Sequence, residues 1–201
     1  MLQRYTGIVA LLAVVSASVG CGTDDVAPRP VTHTAAGGET YNDADVEFAS
    51  DMIQHHAQAL AMVDLTIDRR LDPAINQLAE DVRMAHGQEI EQMTDWLQDW
   101  DRPIPETVRD HANAHGDAGT ETGSDLPGMM SVEQLAALEA SDGAEFEDAW
   151  IQLMIEHHQG AIELARTQQS DGEHPGAVEL AKSIETAQLE EVSTMEVLLG
   201  A

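Results

Sequence analysis

Cysteine is almost missing from this 201-residue chain, which has only Cys21. An intrachain disulfide is therefore excluded, and everything after position 21 has no thiolate to offer a metal. The soft ligands left are thioethers, from nine methionines including Met1, beside nine histidines. Aromatic residues are scarce at 3%. Ala, Leu, Glu, Gln and Met are plentiful instead, which favours helices over strands. Basic residues are also few: nine Lys and Arg stand against 37 Asp and Glu, for a formal net charge of −28. Such a surface repels phosphates and excludes nucleic acid as a partner. It attracts cations, although a plain solvated acidic face would have the same composition. No glycine-rich phosphate loop and no activated-nucleophile signature is present. The Glu-x-x-His motif of di-iron bundles occurs nowhere.

A long apolar run occurs only at the start, from Ile8 to Val19 behind the positive charge of Arg4. It is short for a permanent span and reads as an export signal. Residues 1–21 close on Ser18-Val19-Gly20-Cys21, a lipobox-like end that predicts lipidation of Cys21 and a membrane anchor. The expected location is extracytoplasmic, on the cell membrane or facing the periplasm. Residues 22–40 are rich in Pro, Gly, Thr and Asp and read as a flexible tether.

The domain proper is expected over 41–201. Its 43% overall hydrophobic content is enough for a core. Met52-Ile53-Gln54-His55-His56 is echoed by Met154-Ile155-Glu156-His157-His158, 102 positions later. The offset persists without a gap: Ala59 meets Ala161, Pro73 meets Pro175, Glu89 meets Glu191, Met93 meets Met195 and Leu97 meets Leu199. An internal duplication follows, with repeat one at 43–100, a connection at 101–141 and repeat two at 142–200. Helices are predicted over 43–70, 73–100, 142–169 and 175–200, with a short one opened by a capping box at Ser131 and Gln134. Asn42 and Asp72-Pro73 supply start signals. Two tandem helical hairpins joined by a long crossover make an all-α, ferritin-like four-helix bundle.

On a wheel of ~100° per residue, Phe48, Met52, Ala59, Val63 and Thr66 form one stripe. His55 and His56 then lie roughly 60° and 40° to either side of Met52. His157 and His158 straddle Met154 in the same way. In the second helix Glu89 falls amid Leu78, Val82, Ala85, Met93 and Trp96. In the fourth, Glu191 falls amid Leu180, Ile184, Ala187, Met195 and Leu198. A carboxylate among core positions needs a cation or a strong donor, and the histidine pairs are the nearest candidates. One site of Glu, His and Met is thus expected in each repeat. Imidazole with thioether suits copper, above all Cu(I), while imidazole with carboxylate suits Zn(II) or Cu(II). Buried Glu–His hydrogen bonds with methionines as packing would give the same pattern without metal. The halves differ at one point: His86, on the flank of its stripe, is matched by Gln188. Repeat one can therefore offer three imidazoles and repeat two only His157 and His158.

The run Phe146…Trp150…Met154-Ile155-Glu156-His157-His158-Gln159-Gly160-Ala161-Ile162 resembles that of a bacterial domain-of-unknown-function family, number 305, with a ferritin-like bundle. Pro127-Gly128-Met129-Met130-Ser131 before it and Gln188…Glu191-Val192…Met195 after it match too. The resemblance covers roughly residues 41–199, and relatives that bind copper outside the cytoplasm imply copper binding or tolerance. The first repeat departs from the pattern, with Ala57-Gln58 where the second has Gln159-Gly160. The expected metal residues are Met52, His55, His56, His86, Glu89, Met93, Met154, His157, His158, Glu191 and Met195. A copper buffer or chaperone is the leading reading, with zinc as second ion. A metal-dependent oxidase, a metal-free structural bundle and self-association stay open.

Overall fold

The computed structural model describes residues 31–111 and 125–200. The export signal, Cys21 and the first part of the tether, residues 22–30, lie outside them. The elements in chain order are a two-stranded hairpin, β1 (Thr32–Thr34) and β2 (Thr40–Asn42), then α1 (Asp43–Asp64), α2 (Pro73–Asp99), α3 (Val108–His111), α4 (Val132–Ala140), α5 (Gly143–Asp171) and α6 (Pro175–Leu199). The fold is mostly helical. Among the described residues no helix is long and apolar enough to cross a membrane.

The local signals explain most boundaries. Asn42 and Asp45 form a capping box at the start of α1. Asp72 caps α2 ahead of Pro73, and Ser131 and Gln134 close the box on α4. Each pair satisfies amide groups that a helix start leaves orphaned. α1 stops at Asp64, short of the expected Arg70. The Thr66 hydroxyl donates to the Val63 carbonyl (2.7 Å), and Asp68 turns the chain with φ 62°. Arg69 is drawn away to the α4–α5 junction, where it donates to the Ser141 and Glu139 carbonyls and covers the Phe146 ring. The end of the expected tether is ordered as well. Thr32 pairs with Asn42 and Thr34 with Thr40, and Gly38, at φ 90°, makes the turn. Tyr41 then stacks on Trp100 at 4.6 Å.

α1 packs on α2, α5 on α6, and α1 on α5, while α2 touches α6. Two apolar clusters divide the interior. One joins Ala59, Met62 and Val63 of α1 to Leu78 and Val82 of α2, Trp150 and Met154 of α5 and Met195 of α6. The other joins Phe48 and Met52 to Met93, Leu97, Ala161, Ala165, Ala181 and Ile184. The late half of α1 thus meets the early halves of α2 and α5, so the neighbours run antiparallel. Trp150 bolts α5 to α1 by donating from Nε1 to the Met62 carbonyl (3.0 Å), one of the orphan acceptors in the last turn.

The chain before α4 is seated between α1 and α5. Gln58 clamps Met130 from both sides, donating to its carbonyl (2.9 Å) and accepting from its amide (2.7 Å). Opposite, Gly160 lets the Pro127–Gly128 backbone come so close that a Cβ at 160 would overlap the Pro127 carbonyl. These two residues stand at the 102-residue offset that relates the two histidine pairs, and each contacts the same crossing segment. One segment crosses there, and one helix must grip it while the other makes room.

Gly160→Ala should therefore lower stability by about 1–3 kcal/mol through overpacking. Gly87→Ala, in α2 with open space at its Cβ, should raise it by about 0.5–1 kcal/mol. Urea melts of the two variants should move in opposite directions. Equal shifts would remove the close approach as the reason for glycine at 160.

Candidate metal centre

Between the two apolar clusters lies a layer of polar side chains. α1 contributes His55 and His56, α2 His86 and Glu89, α5 His157 and His158, and α6 Gln188 and Glu191. All five histidines are buried, four of them at 0% exposure and His86 at 2%. The rings form one connected group. His55 lies 3.8 Å from His157 between centroids, and His56 lies 4.0 Å from His86. His86 is 5.8 Å from His158, and His157 is 6.4 Å from His158. The expectation of one site per repeat is thus corrected. The stripes of α1 and α5 face each other, so both histidine pairs enter a single layer.

The carboxylates meet the histidines as their placement required. His56 Nε2 donates to Glu89 Oε2 at 2.8 Å, and His158 Nε2 to Glu191 Oε2 at 2.8 Å. Their position is corrected in one respect. Glu89 and Glu191 sit at the margin of the layer, with 17% and 19% of the side chain exposed. The centre of the α2 stripe is His86, which the wheel put on the flank. Ala187 of α6, expected inside, is exposed. His86 Nδ1 lies 3.8 Å from the same Glu89 oxygen that His56 engages. His56, His86 and Glu89 bring their ligand atoms within 4.8 Å of one another.

Met52, Met93, Met154 and Met195 are all at 0% exposure. Met52 and Met93 belong to one apolar cluster, Met154 and Met195 to the other. They flank the histidine layer on its two sides.

Sequence reasoning missed the partner of His55. Its Nε2 lies 2.9 Å from the Pro127 carbonyl, which can only accept, so Nε2 carries the hydrogen and Nδ1 the lone pair. The Pro127-Gly128 motif was visible, but nothing in it names the helix that it touches. Seven ring nitrogens in the layer have no hydrogen-bond partner in the protein: Nδ1 of His55, His56 and His158, and both nitrogens of His86 and His157. Gln188 has neither amide atom paired. Each buried polar atom left so costs about 1–3 kcal/mol. Seven together rival the ~5–15 kcal/mol that holds a whole domain folded. The donor set fits a cation that replaces those missing partners, because neutral imidazole is a metal ligand and Glu89 supplies negative charge.

Burial pushes the His55 imidazolium down to about 3, helped by the neighbouring His56, while the Pro127 carbonyl opposes the shift. His86 and His157 are driven well below the ordinary histidine range, first by burial and then by the surrounding histidines. These rings are neutral at pH 7 and lone pairs are available without loss of a proton. In the metal-free protein the unfolded chain takes up protons at these positions below pH ~6.5, whereas the folded chain does not. Their contribution to stability is full above the unfolded value and is lost as pH falls from about 6.5 towards 3. Melts of chelator-treated protein between pH 7.5 and 4.5 should show Tm falling steadily on acidification. A variant with His86 and His157 both changed to Gln should show a shallower fall, and an equal slope would mean that the rings take protons while folded.

Comparison with known proteins places the chain in a family. The profile of a family described as a domain of unknown function, DUF305, matches residues 45–199. Solved structures of similar fold include a DUF305 protein from Streptomyces coelicolor, described as a candidate secreted protein. It is 29% identical with a TM-score of 0.67, over 78% of this chain and 92% of that one. A DUF305 fragment from Deinococcus radiodurans is 26% identical with a TM-score of 0.66, over 86% and 99%. CopM in a Cu(II)-bound form is 26% identical with a TM-score of 0.62, over 78% and 95%. CopM in a Cu(I)-bound form is 25% identical with a TM-score of 0.60, over 77% and 94%. No curated protein matches the chain. The family match runs from the first turn of α1 to the end of α6, and the chain belongs to the DUF305 family.

Proposed function

We propose that this protein binds copper at the histidine layer, outside the cytoplasm, as a buffer or tolerance factor and not as a catalyst. The observation that carries the proposal is the convergence of His56, His86 and Glu89, two buried imidazoles and one carboxylate within 4.8 Å. Imidazole with carboxylate suits Cu(II), with Zn(II) as its closest rival. The copper-bound forms of CopM support the choice of copper. Met52, Met93, Met154 and Met195 border the layer as thioethers that Cu(I) would take. In this reading the four long helices form a ferritin-like four-helix bundle, grown from a duplicated hairpin. The export signal carries the domain across the membrane and lipidated Cys21 holds it there. The candidate secreted relative supports that location.

Glu89→Gln keeps the shape and removes the charge, and His86→Gln makes α2 resemble α6 at this point. Each should weaken Cu(II) at least about 10-fold, the effect that even supporting residues of metal sites have. The check is a competitive titration, with metal content measured after purification without chelator. Unchanged affinity in both variants would overturn the site. Saturating metal should also raise stability, by about 2.7 kcal/mol at 100 times Kd.

Changing the four flanking methionines to Leu keeps the volume and removes only the thioethers. Cu(I) binding should weaken far more than Zn(II) binding in that variant. An unchanged Cu(I) affinity would assign the methionines to packing.

A further inference from the structure

Of the three side chains that converge in the layer, only one reaches solvent. His56 is at 0% exposure and His86 at 2%, while Glu89 has 17% of its side chain exposed. An ion that comes to them from solvent therefore passes Glu89. Helix geometry identifies the seam on which Glu89 opens. Trp96 lies seven residues after Glu89, about 20° round the helix and so on the same face. Its ring meets the edge of His174, the N-cap of α6, at 5.2 Å between centroids. It also lies 3.2 Å from where a Cβ on Gly176 would stand. This face of α2 is thus turned to α6. The opposite flank is turned to α1, where Arg83 pairs with Asp64 (2.8 Å). α6 repeats the arrangement. Glu185 pairs with Arg166 of α5 (2.7 Å). Glu191, 19% exposed, stands about 120° round the helix from Glu185, on the side away from α5.

That seam is also the loosest contact between neighbouring long helices. α2 and α6 touch far less than α1 and α2, α5 and α6, or α1 and α5. One turn before each glutamate stands an alanine too short to cover the gap. Ala85 is partly buried and Ala187 is exposed. The other side of the layer is covered. There the Pro127 carbonyl lies 2.9 Å from His55 Nε2, and the Gly128 backbone is pressed onto Gly160. Resting on the metal-binding reading above, we propose that the seam between α2 and α6 is the passage by which ions enter and leave the layer. Glu89 and Glu191 form its mouth, and Ala85 and Ala187 keep it open. Small hydrated divalent cations are the class it admits, since two carboxylates at the rim attract cations and repel anions. Glu89 is then both the first group an ion meets and one of its final ligands.

The test uses the full chain and Cu(II). Ala187→Leu, alone and combined with Ala85→Leu, lengthens the side chains over the mouth without changing a ligand. Leucine is nearly as good a helix former as alanine. Position 187 is exposed, so the single variant has room to fold. Stopped-flow mixing of metal-free protein with Cu(II) held by a weak chromogenic chelator gives the uptake rate. Mixing of loaded protein with excess strong chelator gives the release rate. The double variant should slow both rates by about 10-fold, as a raised barrier does, and leave Kd unchanged. Ala187→Leu should act in the same direction to a smaller extent. Gly87→Leu is the control. Gly87 has open space at its Cβ and lies about 160° round α2 from Glu89, so its leucine should leave both rates as they are. Wild-type rates in Ala187→Leu and in the double variant, or equal slowing in Gly87→Leu, would overturn the passage and leave the site intact. Wild type that binds no Cu(II) would overturn the site itself.

Discussion

The interior of this protein is built around the burial of five imidazoles in a layer between apolar clusters. For His55, His86 and His157 burial suppresses the charged form, so the rings enter the interior as neutral imidazole. The hydrogen bonds of His56 to Glu89 and of His158 to Glu191 tie each histidine helix to its hairpin partner. Both carboxylates stay at the margin, where water still reaches them. They thereby avoid the desolvation that a fully buried charge would suffer.

The rest of the interior follows from that layer. Helix ends on either side are filled by methionine, leucine, alanine and tryptophan. The helices cannot slide without breaking the match between imidazole and carboxylate, so the layer sets their register. It also recruits the segment before α4. The Pro127 carbonyl is the acceptor for His55, and Gln58 and Gly160 hold or admit the backbone that delivers it. The crossover is therefore part of the site's wall as well as a connection.

Asymmetry has two separate origins here. Gln58 and Gly160 differ because a single segment passes between α1 and α5. His86 and Gln188 differ at buried positions where no packing demand of that kind is evident, and their difference changes the donors available to an ion. Both differences fall at the same 102-residue offset, but only the second alters the chemistry of the layer.

The sequence by itself determined the helices, their starts and the pairing of glutamate with histidine. Capping residues and apolar stripes act over one or two turns, so Asn42, Asp72, Ser131 and the Met52 and Met154 stripes were legible locally. So was the need of Glu89 and Glu191 for a partner, because a carboxylate on an apolar stripe is a local contradiction. Tertiary structure decided what depends on distance between helices. It merged two histidine pairs into one layer, moved His86 from the stripe edge to its centre and placed the glutamates at the margin. A helical wheel fixes angles about one axis only. The direction that counts as inward is set by which neighbours pack on that helix and how close they come, and no residue carries that information alone.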